Sequence, residues 1–283
     1  MKRIGILYHP KVEATRTKAT ELAAFLKRKG VTVWLCSAWE PQKITGLLPG
    51  TDLVITVGGD GTILRGIQAI GPAGTPITGI NLGKLGFMTE LDAGEAEDKL
   101  LNIINGDGWI DERTMLQAEV TTARKERSVF HALNDVVVAR GNIARLVRVE
   151  AAVDGQPLTT YNADAVIVAT ATGSTGYALA AAGPVMYPQS RDFTMTPVAP
   201  HLSTAHSLVL PETAEVTLRM NTYHDATLSI DGHINQPLEN GDTITIRRSP
   251  RTARFLRICP RESFFATLEE KLKGRQGESG RKD

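Results

Sequence analysis

The spacing of apolar residues changes at about residue 110, and this change constrains the fold more than any other feature of the sequence. Before it, short apolar runs that are typical of buried strands alternate with amphipathic helical patterns. The apolar runs are residues 4–7, 31–35, 53–57 and 77–80, and the helical patterns are residues 15–29, 63–69 and 95–104. Because strands joined through helices pair in parallel, we expect an α/β domain built on a parallel sheet.

Beyond this point, tight-turn dipeptides separate runs that are rich in β-branched residues. These dipeptides are Asp154-Gly155, Asp231-Gly232 and Asn240-Gly241. Helical periodicity returns near the end, where Phe264, Leu268 and Leu272 form an apolar stripe and Ser263 is a candidate cap. We therefore expect a β-sandwich, followed by one helix that needs a surface on which to bury its stripe.

Charged residues are nearly absent from residues 165–211, where Arg191 and Asp192 are the only ones, although they make up 22% of the chain. The charge-free part is long enough to cross a membrane, which takes about 20 apolar residues, but glycines and Pro184 interrupt it. The net charge of +1 is too low for a surface that binds long polyanions. We therefore expect no membrane partner and no nucleic-acid partner.

The cysteines and the N-terminal segment favour the cytoplasm. Cys36 and Cys259 lie far apart and fit no metal-ligand spacing, so we expect two buried thiols. Residues 1–7 are too few and too quickly polar for a signal peptide. The cytoplasm is therefore the expected compartment.

The strongest local signal is the segment Gly58-Gly59-Asp60-Gly61-Thr62, here called the glycine loop, which directly follows an apolar strand. Glycines allow a sharp turn and the close approach of a phosphate, and N–H groups at a helix start face such an anion. Asp60 could bridge Mg²⁺ to the phosphates, or it could accept the proton of an attacking hydroxyl. The alternative is an ordinary strand-to-helix turn that is capped by Asp60 or Thr62.

Five further motifs accompany the glycine loop along the chain. They are residues 81–87, residues 133–135, residues 172–177 with 182–184, residues 197–201 and residues 231–233. With these motifs in this order and at these spacings, roughly residues 1 to 270 resemble the NAD kinase family.

The resemblance implies an α/β N-terminal domain with a Rossmann-like parallel sheet, an all-β C-terminal sandwich domain that carries most of the NAD site, and a final helix packed back on the first domain. The corresponding limits are residues 1–110 plus 258–273 and residues 111–257, with residues 274–283 expected to be a disordered tail. The implied reaction moves the γ-phosphoryl of ATP, or a phosphoryl of polyphosphate, to the 2′-hydroxyl of the adenosine ribose of NAD. Mg²⁺ is expected with ATP, without a fixed protein metal site, and a homodimer or homotetramer is expected.

In the first domain, the resemblance assigns Asp60 as the group that accepts the proton of the hydroxyl. Arg65 lies one helical turn further and could reach phosphate, and its alternative is a solvated helix face. Phe87 matches an aromatic residue near the adenine, and its alternative is a core phenylalanine. The other nucleotide-binding residues assigned here are Gly59, Gly61 and Thr62.

In the second domain, Asn134 and Asp135 match an Asn-Glu pair that contacts the ribose hydroxyls. The shorter Asp would make a longer or water-mediated contact, and the alternative is a turn before a strand. Arg145 and Asp164 match positions that contact the dinucleotide or its carboxamide end, often across a subunit boundary. A solvated strand is the alternative for Arg145.

The charge-poor region offers hydroxyls and an aromatic ring to adenine and ribose, and its alternative is a polar turn that caps a helix. The residues assigned there are Thr172, Ser174, Thr175, Gly176 and Tyr177. Ala199 matches a backbone contact. His233 stands where the family often has Gln and could donate to ribose or phosphate, or it could be a solvated turn residue.

Two other functions remain as alternatives, namely a kinase of the same loop type that acts on a lipid or sugar, and a non-catalytic dinucleotide sensor. The hydroxyl-rich residues 172–177 disfavour a lipid groove, and a sensor has no need of a base at Asp60. The choices between NAD and NADH, ATP and polyphosphate, and dimer and tetramer are open at this point, as is inhibition by NADP(H).

Overall fold

The structure, a computed structural model, describes residues 1–83, 86–141, 146–201, 206–221, 224–261 and 263–276. It divides the chain into two compact units. Unit 1 contains Met1–Asp111 and Arg254–Asp283, and unit 2 contains Glu112–Ala253. Unit 1 therefore holds both ends of the chain.

Unit 1 is built on a parallel sheet. Its strands are β1 (Arg3–Tyr8), β2 (Thr32–Ser37), β3 (Leu53–Val57), β4 (Ile77–Asn81) and β5 (Leu91–Asp92). Their order is β2-β1-β3-β4-β5, and each neighbouring pair is parallel. β3 and β4 are buried along their whole length, as expected for inner strands of a sheet that is covered on both faces. The predicted parallel sheet is confirmed.

Four helices follow these strands. They are α1 (Glu13–Arg28), α2 (Pro41–Leu47), α3 (Asp60–Ile70) and α4 (Ala96–Asn105). α3 begins at Asp60, before the start at residue 63 that the apolar pattern predicts, and Gly59 is its N-cap. The pattern missed the first turn because that turn is polar and glycine-rich. It also missed α2, in which Ile44 is the only buried residue.

The core of unit 1 fixes the strands that precede the glycine loop. The stripe of α1, formed by Ala19, Leu22 and Leu26, packs with Ile4 of β1 and Ile55 of β3. Burying a Leu or Ile side chain stabilises the fold by about 1.5–3 kcal/mol. This packing therefore holds the carboxyl end of β3 in place.

Unit 2 is a sandwich of two sheets. Its strands are β6 (Trp109–Thr121), β7 (Arg127–Ala132), β8 (Asp135–Arg140), β9 (Val147–Val153), β10 (Gln156–Ala163), β11 (Ala165–Thr170), β12 (Phe193–Val198), β13 (Leu208–Leu210), β14 (Val216–Met220), β15 (Ala226–Ile230), β16 (Ile234–Leu238) and β17 (Thr243–Arg257). One sheet has the order β13-β12-β11-β8-β15-β16, and the other contains β10-β9-β14-β17, with β6 paired to β7 and β17. Side chains such as Val136 and Val166 of the first sheet and Val149 and Val216 of the second share one core. The predicted sandwich is confirmed.

Two of the three turn dipeptides of unit 2 have a left-handed backbone at both residues, as tight hairpin turns require, whereas in Asn240-Gly241 only Gly241 has a positive φ. Between β9 and β10, φ is 51° at Asp154 and 73° at Gly155. Between β15 and β16, φ is 50° at Asp231 and 69° at Gly232. The unit is not wholly β, however, because a 3-10 turn at Gly173–Thr175 and α5 (Tyr177–Ala180) follow β11.

The chain ends in unit 1. Phe255 of β17 pairs with Ile77 of β4, and α6 (Ser263–Gln276) follows. The predicted helix is confirmed, and its apolar stripe is partly buried. The predicted disorder of residues 274–283 is wrong for residues 274–276, which are helical, and residues 277–283 lie outside the described part of the chain.

Only one of the two cysteines is buried, although the sequence predicts that both are. Cys36 of β2 is buried as expected, whereas Cys259 is exposed, because it follows the end of β17 and does not lie within it. Among the described helices, none combines the length and the apolar content needed to cross a membrane.

Candidate active site

The glycine loop lies at the carboxyl end of β3. Because β1, β2 and β3 are parallel, their carboxyl ends share one edge of the sheet, and ligands of such sheets bind beyond that edge. Gly58 has a φ of 148°, and a Cβ there would lie 2.5 Å from Oγ1 of Thr62. Only glycine therefore fits this turn. Thr62 itself is buried, and its hydroxyl has no hydrogen-bond partner among the described residues.

The Asp60 carboxylate is fixed by the backbone of the segment that follows β4. Oδ2 accepts a hydrogen bond from the N–H of Phe87 at 3.0 Å, and Oδ1 accepts one from the N–H of Met88 at 3.1 Å. A Cβ on Gly86 would overlap Oδ1, so the close approach requires glycine. Each carboxylate oxygen keeps a lone pair for one further donor, such as a hydroxyl.

A buried ion network holds the segment that positions Asp60. Arg257, at the end of β17, donates to the carbonyl of Met88 at 2.8 Å and to Glu90 at 3.0 Å, and its Nε donates to Asp111 at 3.3 Å. Glu90 also accepts the N–H groups of Ile258 and Cys259. All three charged side chains are at most 7% exposed. Pairing and hydrogen bonding satisfy these charges, which would be costly to bury alone.

Arg65 of α3 lies against an aromatic platform at the same edge of the sheet. Its guanidinium is 4.3 Å from the ring centroid of Trp39, and the ring centroid of His9 is 4.3 Å from that of Trp39. His9 follows β1 and Trp39 follows β2. The stacked position differs from the solvated helix face that was the alternative. Among the described residues, no acceptor binds the N–H groups of Arg65, so they can bind an anion.

In unit 2, Asp231 fixes the backbone of the Asn134-Asp135 pair. Its carboxylate accepts the N–H groups of Leu133 at 3.0 Å, Asn134 at 2.7 Å and Asp135 at 3.2 Å. Three such donors strongly stabilise a carboxylate. The sequence pattern identified Asp231 as a turn residue but did not predict this role.

Asp135, by contrast, is buried beside that charge. Burial, together with the neighbouring Asp231 carboxylate, raises the pKa of Asp135 to about 7. No donor among the described residues reaches its carboxyl group, so no hydrogen bond offsets the cost of burying the charged form. Oδ1 of Asn134 is also buried without a hydrogen-bond partner among the described residues. Both side chains can therefore accept or share hydrogen bonds with a ligand.

The turn after β11 packs directly on this pair. A Cβ on Gly173 would overlap the carbonyl oxygen of Asn134, and a Cβ on Gly176 would lie 3.7 Å from Asn134 Nδ2 and from Asp135 Oδ2. Arg113 donates to the Thr172 hydroxyl at 3.3 Å. The residues assigned from the sequence in this turn are therefore brought together with Asn134 and Asp135.

Two hydroxyls of this turn donate hydrogen bonds to backbone carbonyls of the same turn. Ser174 is fully buried, donates to the carbonyl of Ala171 at 2.7 Å and accepts the N–H of Met186 at 3.0 Å. Thr175 donates to the carbonyl of Thr172 at 3.3 Å. Tyr177, which begins α5, is 45% exposed and is the accessible aromatic ring of the segment.

Two family models match the chain. Residues 47–108 match the ATP-NAD kinase N-terminal domain, and residues 133–258 match the ATP-NAD kinase C-terminal domain. The chain is 49% identical to an NAD kinase of Dehalococcoides mccartyi strain CBDB1 over 274 residues, which cover 96% of both chains. It is 40% identical to an NAD kinase of Chloroflexus aurantiacus over 273 residues, which cover 96% of this chain and 99% of that one.

The chain belongs to the NAD kinase family. It is therefore a phosphotransferase of the kinase class. Its fold is similar to that of yeast NADH kinase complexed with NADH, with a TM-score of 0.86 at 26% identity over 96% of this chain and 88% of that one. It is also similar to an NAD kinase from Archaeoglobus fulgidus in complex with ATP, with a TM-score of 0.76 at 27% identity over 96% of this chain and 98% of that one.

The remaining residues assigned by resemblance to NAD kinases lie elsewhere in unit 2. Asp164 and Ala199 lie together at the start of β11, where the Asp164 N–H donates to the carbonyl of Val198. The length of β11, roughly 20 Å at about 3.3 Å per residue, separates them from the turn at 172–177. Asp164 also pairs with Arg140, whose Nε is 3.1 Å from Oδ1 of Asp164.

His233 is linked to Asn134 by way of Asp231, whose carboxylate accepts the N–H of Asn134. Its Nδ1 is 3.0 Å from the carbonyl oxygen of Asp231, in the turn between β15 and β16. Ala199 has a φ of 45°, a left-handed conformation that is uncommon for a residue with a side chain. Arg145 lies outside the described residues.

Proposed function

We propose that this NAD kinase transfers the γ-phosphoryl group of ATP to the 2′-hydroxyl of the adenosine ribose of NAD, producing NADP and ADP. The observation that carries the proposal is the Asp60 carboxylate, held by two backbone N–H groups at the start of α3 and at the ligand-binding edge of the sheet. A side chain held in this way is oriented before substrate arrives.

In this proposal, Asp60 acts on the attacking hydroxyl. The hydroxyl donates a hydrogen bond to a free lone pair of the carboxylate, which orients its oxygen toward the γ-phosphorus. The new bond joins that oxygen to phosphorus, while the bond from phosphorus to the bridging oxygen of ADP breaks and its electron pair leaves with ADP. Asp60 takes the hydroxyl proton, and the loose transition state of phosphoryl transfer allows it to do so late.

The donor phosphates are assigned to the glycine loop and Arg65. N–H groups of the first turn of α3, which begins at Asp60, have no partner within the helix and carry the positive end of its dipole. Gly59 and Gly61 have open space where a side chain would stand, so a phosphate can approach their backbone. The Trp39 platform holds the Arg65 guanidinium and reduces the entropy lost when it binds an anion.

Mg²⁺ is assigned to the nucleotide rather than to the protein. The described residues contain no group of three or more His, Cys, Asp or Glu side chains that could hold a metal ion. Mg²⁺ commonly binds through substrate phosphates, waters and one carboxylate, and Asp60 is the carboxylate of the loop. The donor set therefore fits an ion carried by ATP, which would neutralise phosphate charge.

NAD is assigned to unit 2. Asn134, Asp135, the exposed ring of Tyr177 and His233 supply polar and aromatic contacts for its adenosine, and Thr172, Thr175 and Gly176 shape the same turn. Ser174 is assigned to holding that turn, because its hydroxyl is fully engaged. Arg145, Asp164 and Ala199 are assigned to the other end of the dinucleotide. Three expectations stay predictions. They are the homodimer or homotetramer, the cytoplasmic location and the position of Phe87 near the adenine.

The proposal is tested by incubating the purified protein with Mg²⁺ and each combination of NAD or NADH with ATP or polyphosphate. An NADP-specific dehydrogenase then measures the product. NADP from NAD and ATP is the expected result. Phosphorylation of a lipid or sugar acceptor with no NADP from any combination would contradict the proposal.

A further inference from the structure

The last helix brings a cation to the segment that holds Asp60. Lys271 lies on α6, and its Nζ is 5.9 Å from the ring centroid of Phe87. The N–H of Phe87 is one of the two donors to the Asp60 carboxylate. Lys271 lies in none of the motifs on which the resemblance rests, so no sequence pattern predicted a role for it.

The ammonium of Lys271 has no direct partner in the described part of the chain. It makes no hydrogen bond and no ion pair there, and the side chain is partly buried. A cation over an aromatic ring gains only a modest stabilisation, about 0.5–1 kcal/mol at an exposed site. Its N–H groups, which would normally bind water or an anion, are therefore available to a ligand.

The groups that face Lys271 favour an anionic ligand. Burial lowers the pKa of Lys271, and the nearby Arg257 cation lowers it further, whereas Asp60, Glu90 and Cys259 raise it. Glu90 is already bound by Arg257 and two backbone N–H groups, and Asp60 by two more. A phosphate placed next to Asp60 would supply the negatively charged partner that Lys271 lacks among the described residues.

We propose that Lys271 binds the phosphoryl group transferred from ATP and stabilises the charge that develops on it. This inference rests on the proposed function. An attacking hydroxyl bound to Asp60 requires the γ-phosphorus within about 3–3.5 Å of its oxygen, which places the phosphoryl oxygens beside the carboxylate and its neighbours. Lysine is a compact charge on a flexible stem and is a common phosphate ligand.

The test compares Lys271→Met with a matched control, Lys29→Met. Lys29 also lies over a phenylalanine ring, 5.7 Å from the centroid of Phe25, but it precedes β2 at the amino edge of the sheet. With saturating NAD and varied MgATP, we expect Lys271→Met to lower kcat/KM for ATP by about 100-fold or more, as for the loss of one charge-stabilising donor. The NAD dissociation constant and the control variant should stay within about twofold of wild type.

Lys271→Arg separates phosphate binding from a structural role. It keeps the charge and should recover at least about a tenth of wild-type kcat/KM, and its rate should persist to higher pH than that of wild type, because arginine stays protonated. A thermal unfolding midpoint equal to that of wild type shows that each variant is folded. If Lys271→Met is unstable, Lys271→Gln with the same assay replaces it.

Two failures are distinguishable. If wild type makes NADP while Lys271→Met and Lys271→Gln both keep kcat/KM for ATP within threefold of wild type, the role of Lys271 is wrong and the proposed function stands. If wild type makes no NADP with any donor, the proposed function itself is wrong.

Discussion

At the residue scale, the position of Asp60 depends on the absence of a side chain at Gly86. Replacing Gly86 by Ala places a Cβ against Oδ1 and forces the carboxylate away from its two N–H donors. A displacement of about 1 Å at a reacting group can lower the rate by about 100-fold. We expect Gly86→Ala to lower kcat by about this factor, with the NAD dissociation constant unchanged, in steady-state and binding measurements.

Gly83→Ala is the matched control for this variant. Gly83 lies in the same segment, and a Cβ there meets no atom within 4 Å. Its kcat should stay within about twofold of wild type. Equal losses in both variants would show that the segment needs flexible glycines, rather than space for Asp60.

A second residue-scale prediction concerns the pH dependence of stability. The pKa of Asp135 is about 7 in the folded protein, whereas an aspartate in an unfolded chain has a pKa near 3.9. Between these values the folded state binds more protons than the unfolded state, so this residue makes the free energy of unfolding fall as pH rises from about 4 to 7. Asp135→Asn removes this contribution.

We therefore expect Asp135→Asn to gain stability relative to wild type as pH rises through that window, in urea unfolding followed by circular dichroism. The difference should become constant above about pH 7. A difference that does not change between pH 4 and 7 would show that Asp135 is ionised in the folded protein throughout.

At the element scale, four of the five strands and most helices of the first hundred residues could be predicted because their signals are local. β3 is a continuous apolar run, and α1 carries its stripe within sixteen residues. The start of α3 was missed because its first turn, Asp60-Gly61-Thr62, serves the site and lacks the apolar spacing of a helix. Local sequence patterns therefore identify an element when buried apolar residues determine where it begins and ends. They fail when residues of the candidate site form part of the element.

The network of Arg257, Glu90 and Asp111 could not be predicted, because its members lie on elements that are far apart in sequence. It gives an element-scale prediction for the end of β17. Arg257→Met leaves two buried carboxylates without their cation, and breaking such a network costs about 3–5 kcal/mol. Urea unfolding followed by tryptophan fluorescence measures this change in unit 1, which contains Trp34, Trp39 and Trp109, all three tryptophans of the chain.

Arg247→Met is the control on the same strand. Arg247 pairs with Glu215 at 3.6 Å, but the two side chains are 51% and 46% exposed, and such pairs contribute about 0–1 kcal/mol. A loss in Arg257→Met no larger than that in Arg247→Met would contradict the structural role assigned to the network.

At the scale of the whole molecule, unit 1 is discontinuous in sequence, since it contains both ends of the chain, whereas unit 2 is one continuous segment. The motifs of the NAD kinase family led us to expect Asp60 in the first domain and Asn134 and the turn at 172–177 in the second, and these residues lie in unit 1 and unit 2, respectively. They did not predict what Lys271 and Asp231 contact, because neither contact leaves a pattern in nearby sequence. The charge-poor residues 165–211 contain the inner strand β11 and the turn that packs on Asn134.

We propose that this chain phosphorylates NAD with Asp60 as the proton acceptor. The most direct measurement is NADP formation from NAD and MgATP by wild type and by Asp60→Asn, with NAD binding measured on both. Wild type should form NADP, and Asp60→Asn should bind NAD equally well while its turnover falls by about 10²–10⁴-fold. Turnover of Asp60→Asn within a few-fold of wild type would show that Asp60 is not the proton acceptor.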